Sequence, residues 1–172
     1  MTELRRALPE TARQQVTALY QAHALGLVRL AVLMVGDQPT AEDVVQEAFL
    51  GLYRRWSALK NPDRALAYAR SSVLNGCRMV ARAKSRHDRI ALDAPADIES
   101  AEATALLGEA NREVIRALRQ LPARQREAVV LRYYLDLTED QAAQAMQVSR
   151  GTVKSATSRG LAALARLLKE ES

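Results

Sequence analysis

The chain has 172 residues, enough for one domain or two small ones. Hydrophobic residues make up 48% but aromatics only 4%, and with 7 Gly and 5 Pro this favours long helices cored by Leu, Val and Ala over a turn-rich β fold. The net charge of +5 permits a polyanionic partner, while the single cysteine, Cys77, excludes an intramolecular disulfide and fits a reducing cytoplasm.

Residues 1–11 carry no strong periodicity, and a flexible N-terminus is expected there. From Ala12 the apolar positions Val16, Leu19, Tyr20, Leu27 and Leu30 recur at three and four, which predicts a helix to about Val35. His23 lies on that stripe as a partly buried packing residue, and with only one other histidine no metal site is expected. No secretory signal and no apolar run near the roughly 20 residues of a membrane span are expected. After the turn Gly36-Asp37-Gln38-Pro39, Thr40 is the predicted cap of a second helix, with Val44, Val45, Ala48, Phe49 and Leu52 inward. Asp43, Gln46 and Glu47 cluster on its other side at i, i+3 and i+4.

A third helix is predicted over about 65–84, with Leu66, Ala69, Val73, Cys77 and Val80 as its buried stripe. Its opposite face carries Tyr68, Ser71, Ser72, Asn75, Arg78 and Arg82. A basic surface interleaved with an aromatic and an amide suits single-stranded DNA, because cations follow phosphates, an aromatic stacks on a base and Asn reads a base edge. Cys77 reads as a small core residue, since no histidine or acid is patterned with it.

Between Ile90 and Asn111 there is no Lys or Arg, while Asp93, Asp97, Glu99, Glu102 and Glu109 are spread among small residues. Residues 90–105 therefore read as a flexible acidic linker between a domain at 12–89 and one at 106–170. In the second domain Val114, Ile115 and Leu118 stripe one helix, ended at Gln120-Leu121-Pro122. The next helix, from Arg124, is expected to pack through Val129, Val130, Tyr133 and Tyr134.

The last stretch, 137–168, is the most informative. Thr138 is a helix cap with Glu139 and Asp140 in the first turn, followed by the apolar face Ala142, Ala143, Ala145 and Met146. Gln147-Val148-Ser149 breaks the pattern, and Ser149 caps a second helix carrying Val153, Leu161, Leu164 and Leu168 inward. Small residues at the crossing and a short turn are the pattern of a helix-turn-helix. The outward residues of the second helix are Arg150, Thr152, Lys154, Ser155, Ser158 and Arg159, a set of donors and cations suited to the DNA major groove. Gln147 occupies the position where a left-handed residue, usually Gly, ends the first helix. There is no Gly-rich phosphate loop, no Cys/His metal spacing and no nucleophile with an evident base, so no catalytic residue, cofactor or metal is expected.

Two basic helical modules on an acidic tether suggest a protein that touches DNA at two places. The fold class expected is all-α, two small helical domains joined by a flexible linker. On these residues the chain resembles the extracytoplasmic-function group of bacterial RNA polymerase sigma factors, an actinobacterial subgroup in particular. AEDVVQEAFLGLYRRW resembles the region-2 helix that docks on the polymerase β′ clamp helices, which assigns polymerase binding to Asp43, Gln46 and Glu47. ALAYARSSVLNGCRMVARAKSR is similar to the segment that melts and reads the −10 element, and LPARQREAVVLRYYLDLTEDQAAQAMQVSRGTVKSATSRGLAAL to region 4, which binds the −35 element and the β flap. Tyr68 stands where the family pattern has Trp, and Ala156-Thr157 where it commonly has Arg-Leu. The resemblance implies a cytoplasmic initiation factor working with polymerase on the nucleoid, with core polymerase, promoter DNA and an anti-sigma factor as partners. The competing reading is a helix-turn-helix regulator acting without polymerase docking. It would make the first half a sensor or dimerisation domain, although that half carries its own basic face.

Overall fold

The structure, a computed structural model, describes residues 2–59, 61–90, 105–108 and 111–170, and every regular element among them is helical. The first half consists of α1 (Thr2–Val35), α2 (Gln38–Arg54), the short α3 (Trp56–Leu59) and α4 (Pro62–Ile90). The second half consists of α5 (Arg112–Gln120), α6 (Ala123–Val129) continued by a π-helical turn (Val130–Tyr134), α7 (Glu139–Met146) and α8 (Arg150–Glu170). The expected acidic linker falls almost wholly at 91–104, outside the described residues.

Helix boundaries follow local chemistry. Helix α1 reaches back to Thr2, so helical geometry extends into the segment expected to fray, and Ala12 and Val16 are buried on its first described turns. It ends at Gly36, whose φ of 95° lies where only glycine sits without strain. The cap of α2 is Asp37 rather than Thr40: the Asp37 carboxylate accepts the Thr40 N–H at 2.9 Å. Pro39 explains the shift, because it occupies the first turn, where a backbone N–H is not needed. The π turn accounts for a second correction. Its extra residue per turn rotates the helix face, so Val129, Val130 and Leu131 are buried while Tyr133 and Tyr134 are exposed.

The expected inward positions of α2 are buried, as are Ala69, Val73, Leu74 and Cys77 of α4, with Leu66 and Val80 only partly covered. Rather than two separate cores, one continuous cluster of buried apolar residues runs from Val16 through Leu30, Leu52 and Leu74 to Leu131, Met146 and Val153. The C-terminal turns of α1 sit at its centre. Leu30, Ala31, Val32 and Leu33 are buried on all sides, with α2 and α4 on one flank and α5 and α6 on the other. The helix is more apolar than expected: Thr11–Val35 is long and apolar enough to cross a membrane by length and composition. Only its C-terminal turns have the all-round burial of a core helix, while Tyr20, Gln21, Ala22 and Leu25 earlier in the same helix are exposed.

Candidate nucleic-acid and polymerase interfaces

Three faces carry the residues singled out in the sequence, and they differ in what covers them. The helix-turn-helix is assembled as expected. Thr138 accepts the Gln141 N–H at 3.1 Å, and the Gln141 side chain accepts the Thr138 N–H at 3.0 Å, a full capping box. Gln147 adopts the left-handed conformation, φ 56° and ψ 45°, that its position demands. Ser149 caps α8 by accepting the Thr152 N–H at 3.1 Å. A Cβ on Gly160 would stand 2.6 Å from Val129 Cγ2 and 3.2 Å from the Gln125 carbonyl oxygen, so α8 crosses α6 at a distance only glycine allows.

On the outer face of α8, Lys154, Ser155, Ser158 and Arg159 are exposed together. The other two expected contacts are partly engaged within the domain. Arg150 pairs with Asp140 at 3.1 Å and Glu139 at 3.6 Å, and half-buried Thr152 shares a 2.9 Å hydrogen bond with the Ser149 hydroxyl. The acids that suit the N-terminus of α7 thus also neutralise the first cation of α8.

The face of α4 is different. Tyr68 is half-buried with the Arg55 guanidinium 5.9 Å from its ring centre, so one side of the ring is already stacked. Ser71 Oγ donates to the Ala145 carbonyl at 2.9 Å and lies 3.2 Å from that of Gln144, both at the C-terminal end of α7. Arg78 donates to Glu127 twice, Nε to Oε1 at 2.9 Å and Nη2 to Oε2 at 2.7 Å, and reaches the Met146 carbonyl at 3.3 Å. Its remaining nitrogen donates to Asn75 Oδ1 at 3.1 Å. The hydrogen bonds that Arg78 donates to Glu127 raise its pKa, against the burial that opposes them. Ser72 is half-buried, and Arg82 is exposed farther along the helix.

Glu127 was not singled out from sequence. It sits in a mixed-charge helix, and nothing in its spacing marks it as buried, yet only 4% of it is exposed. Its neighbour Arg126 bridges the halves on the other side, donating to Leu118, Arg119 and Leu121 of its own domain and to the Met34 carbonyl of α1 at 3.2 Å. Burial lowers the Arg126 pKa, with Arg119 adding to the effect. Burial likewise lowers the pKa of half-buried His23, with Arg70 nearby, and pushes the Cys77 thiol up to about 12. Both fit packing roles.

The third face is on α2, where Asp43, Gln46 and Glu47 are all exposed. Glu47 makes a 3.6 Å surface pair with Arg54. Beside them lies an apolar groove of about 390 Å³ between α1 and α2, bordered by Val16, Tyr20, Phe49, Leu50 and Tyr53. Tyr20 meets Phe49 edge-on at 5.1 Å while remaining 40% exposed. Among the described residues no group of His, Cys, Asp or Glu is placed to hold a metal ion.

Comparison with known proteins decides the family. Residues 19–87 match Sigma-70 region 2 and residues 111–164 match Sigma-70, region 4. The RNA polymerase sigma-E factor of Streptomyces coelicolor is 32% identical over 139 residues, covering 80% of this chain and 77% of that protein. The ECF RNA polymerase sigma factor SigM of Mycobacterium tuberculosis is 32% identical over 157 residues, covering 87% and 75%. The chain belongs to the extracytoplasmic-function sigma factors. The protein is therefore an alternative RNA polymerase sigma factor, a transcription initiation factor, and the reading as a free-standing helix-turn-helix regulator is not favoured. In fold, this sigma factor matches CnrH, solved in complex with the cytosolic domain of CnrY, with a TM-score of 0.70 at 22% identity over 95% of this chain and 98% of that one. It also matches the sigma factor RpoE of Bartonella quintana, solved with the anti-sigma factor NepR, with a TM-score of 0.67 at 23% identity over 88% and 97%.

Proposed function

We propose that this sigma factor docks on the β′ clamp helices of core polymerase through Asp43, Gln46 and Glu47. In the same reading, domain 106–170 places Lys154, Ser155, Ser158 and Arg159 on the −35 element and engages the β flap. Domain 12–89 captures an unstacked −10 base around Asn75, with Tyr68, Ser71, Ser72, Arg78 and Arg82 alongside. Arg150 and Thr152 border the −35 contact, where their bonds to Asp140 and Ser149 orient them. The reading is carried by one observation: four donors and cations stand exposed on a single face of a doubly capped helix-turn-helix. A helix with such a face fits the major groove, whose base edges accept from Arg, Lys and Ser. Strand opening needs no catalysis, because a flipped base costs a few kcal/mol that binding can supply. The site of action is the cytoplasm, with polymerase on the nucleoid, and an anti-sigma factor is the proposed regulator, as family membership supports. The test is run-off transcription from a promoter library with core polymerase free of any sigma factor. Discrete transcripts that require the added protein are expected, and their absence alongside specific duplex binding would favour the regulator instead.

A further inference from the structure

The seam between the two halves opens on one side into a cleft of about 350 Å³, at the small end of ligand pockets, which run from roughly 300 to 1,000 Å³. Arg78 and Arg82 line it from α4, and Arg124, Arg126 and Glu127 from α6. Four guanidinium groups therefore share one cleft with one carboxylate. That carboxylate is already used: Glu127 accepts twice from Arg78, at 2.9 and 2.7 Å, and only 4% of it is exposed. Arg126 donates to backbone carbonyls, which carry no counter-charge, and burial and Arg119 both lower its pKa. Arg82 and Arg124 are exposed on facing helices, and neither pairs with a carboxylate among the described residues. Part of the lining is apolar, with Met34 and the Cys77 thiol, whose pKa of about 12 keeps it neutral. Attraction for an anion is stronger beside such groups than in open solvent, because the effective dielectric is lower.

We propose that this cleft binds a small polyphosphate anion, with a pyrophosphate group held between Arg82 on one wall and Arg124 on the other. A guanidinium fork matches a pair of phosphate oxygens, and two linked phosphoryl groups give each arginine its own pair. Arg78 and Arg126, fixed by Glu127 and by carbonyls, add charge rather than contacts. No aromatic side chain lines the cleft among the described residues, so recognition is of the phosphate groups and not of an attached base. Because the two walls belong to different halves, the anion binds only the docked arrangement and stabilises it by linkage. The site goes beyond promoter recognition and polymerase docking and requires neither assignment.

The experiment is titration calorimetry of the full chain with inorganic pyrophosphate, at ionic strength held constant with sodium chloride. Binding at one site per chain is expected, with orthophosphate about tenfold weaker, the scale of one charged hydrogen bond. Guanosine triphosphate should bind about as tightly as pyrophosphate, and a much tighter nucleotide would overturn recognition through the phosphate groups alone. Arg124→Gln, at a position assigned to neither DNA nor polymerase, should weaken pyrophosphate binding about tenfold. Arg166→Gln removes the same charge from an exposed position on α8 and should leave binding unchanged. Equal weakening in the two variants reduces the effect to net charge and overturns the site. No binding at millimolar pyrophosphate, or orthophosphate binding as tightly, overturns it as well. Circular dichroism establishes that both variants are folded. A measurement on the parent avoids variants altogether: pyrophosphate should raise its melting temperature more than sodium sulfate does at equal ionic strength, and identical shifts overturn the proposal.

Discussion

The outer faces of α8 and α4 look alike as sequence and differ as structure. Both alternate Ser with Arg or Lys on one side of an amphipathic helix, opposite an apolar stripe. On α8 the residues Lys154, Ser155, Ser158 and Arg159 meet solvent, whereas on α4 Ser71 and Arg78 meet the other half of the protein. Amphipathicity defines which side of a helix turns away from its own core. It does not define whether that side faces water, because hydrogen-bond donors can be satisfied by water, by phosphate or by buried carbonyls and carboxylates. The comparison predicts that substitutions on α8 act on DNA binding alone, whereas those at Ser71 and Arg78 also disturb the packing of the two halves.

The strongest way to separate the two faces is to remove polymerase while leaving both intact. Glu47→Lys reverses a charge on the exposed α2 face, distant in sequence from both DNA surfaces. Assembly with core polymerase is expected to be lost, with helicity and melting temperature close to the parent's, because only a surface pair with Arg54 is disturbed. Free −35 duplex binding should persist. Normal co-migration with core polymerase would return this face to a merely solvated role.

Arg159→Ala tests the open face directly. It should weaken −35 duplex binding by about 1–3 kcal/mol if Arg159 reads a base, measured by anisotropy without polymerase. Equal losses on specific and scrambled duplexes would limit Arg159 to phosphate contact.

Asn75, exposed beside the covered Ser71 and Arg78, gives a smaller effect that appears only once polymerase is present. Asn75→Ala removes one amide, so open-complex formation on a duplex promoter should slow about fivefold, the scale of one hydrogen bond. A template mismatched over the −10 region should recover much of that rate, because unpairing has been done beforehand. Polymerase binding and −35 recognition should be unchanged. Full speed on the duplex would remove Asn75 from base capture, and equal slowing on both templates would point to a folding defect.

Much of the molecule was legible locally. Thr138 and Ser149 cap the helices they were expected to cap, since a hydroxyl beside exposed N–H groups acts within one turn. The inward positions of α2 follow from a period of 3.6 alone. Errors appeared where a local rule met a competitor a few residues away. Pro39 moved the cap from Thr40 to Asp37, and a π turn swung Tyr133 and Tyr134 outward.

The sequence by itself determined the all-α class, the helix-turn-helix, the exposed α8 face and the family, because caps, periodicity and motif spacing are properties of neighbouring residues. Only the tertiary structure decided that Glu127 is buried against Arg78, that Arg126 reaches the end of α1, and that the apolar end of α1 is the shared core of both halves. Arg78 and Glu127 lie 49 positions apart, and no period or cap links residues at that distance. Their pairing depends on how the two halves dock, a balance of long-range burial and charge that is not written in any single helix.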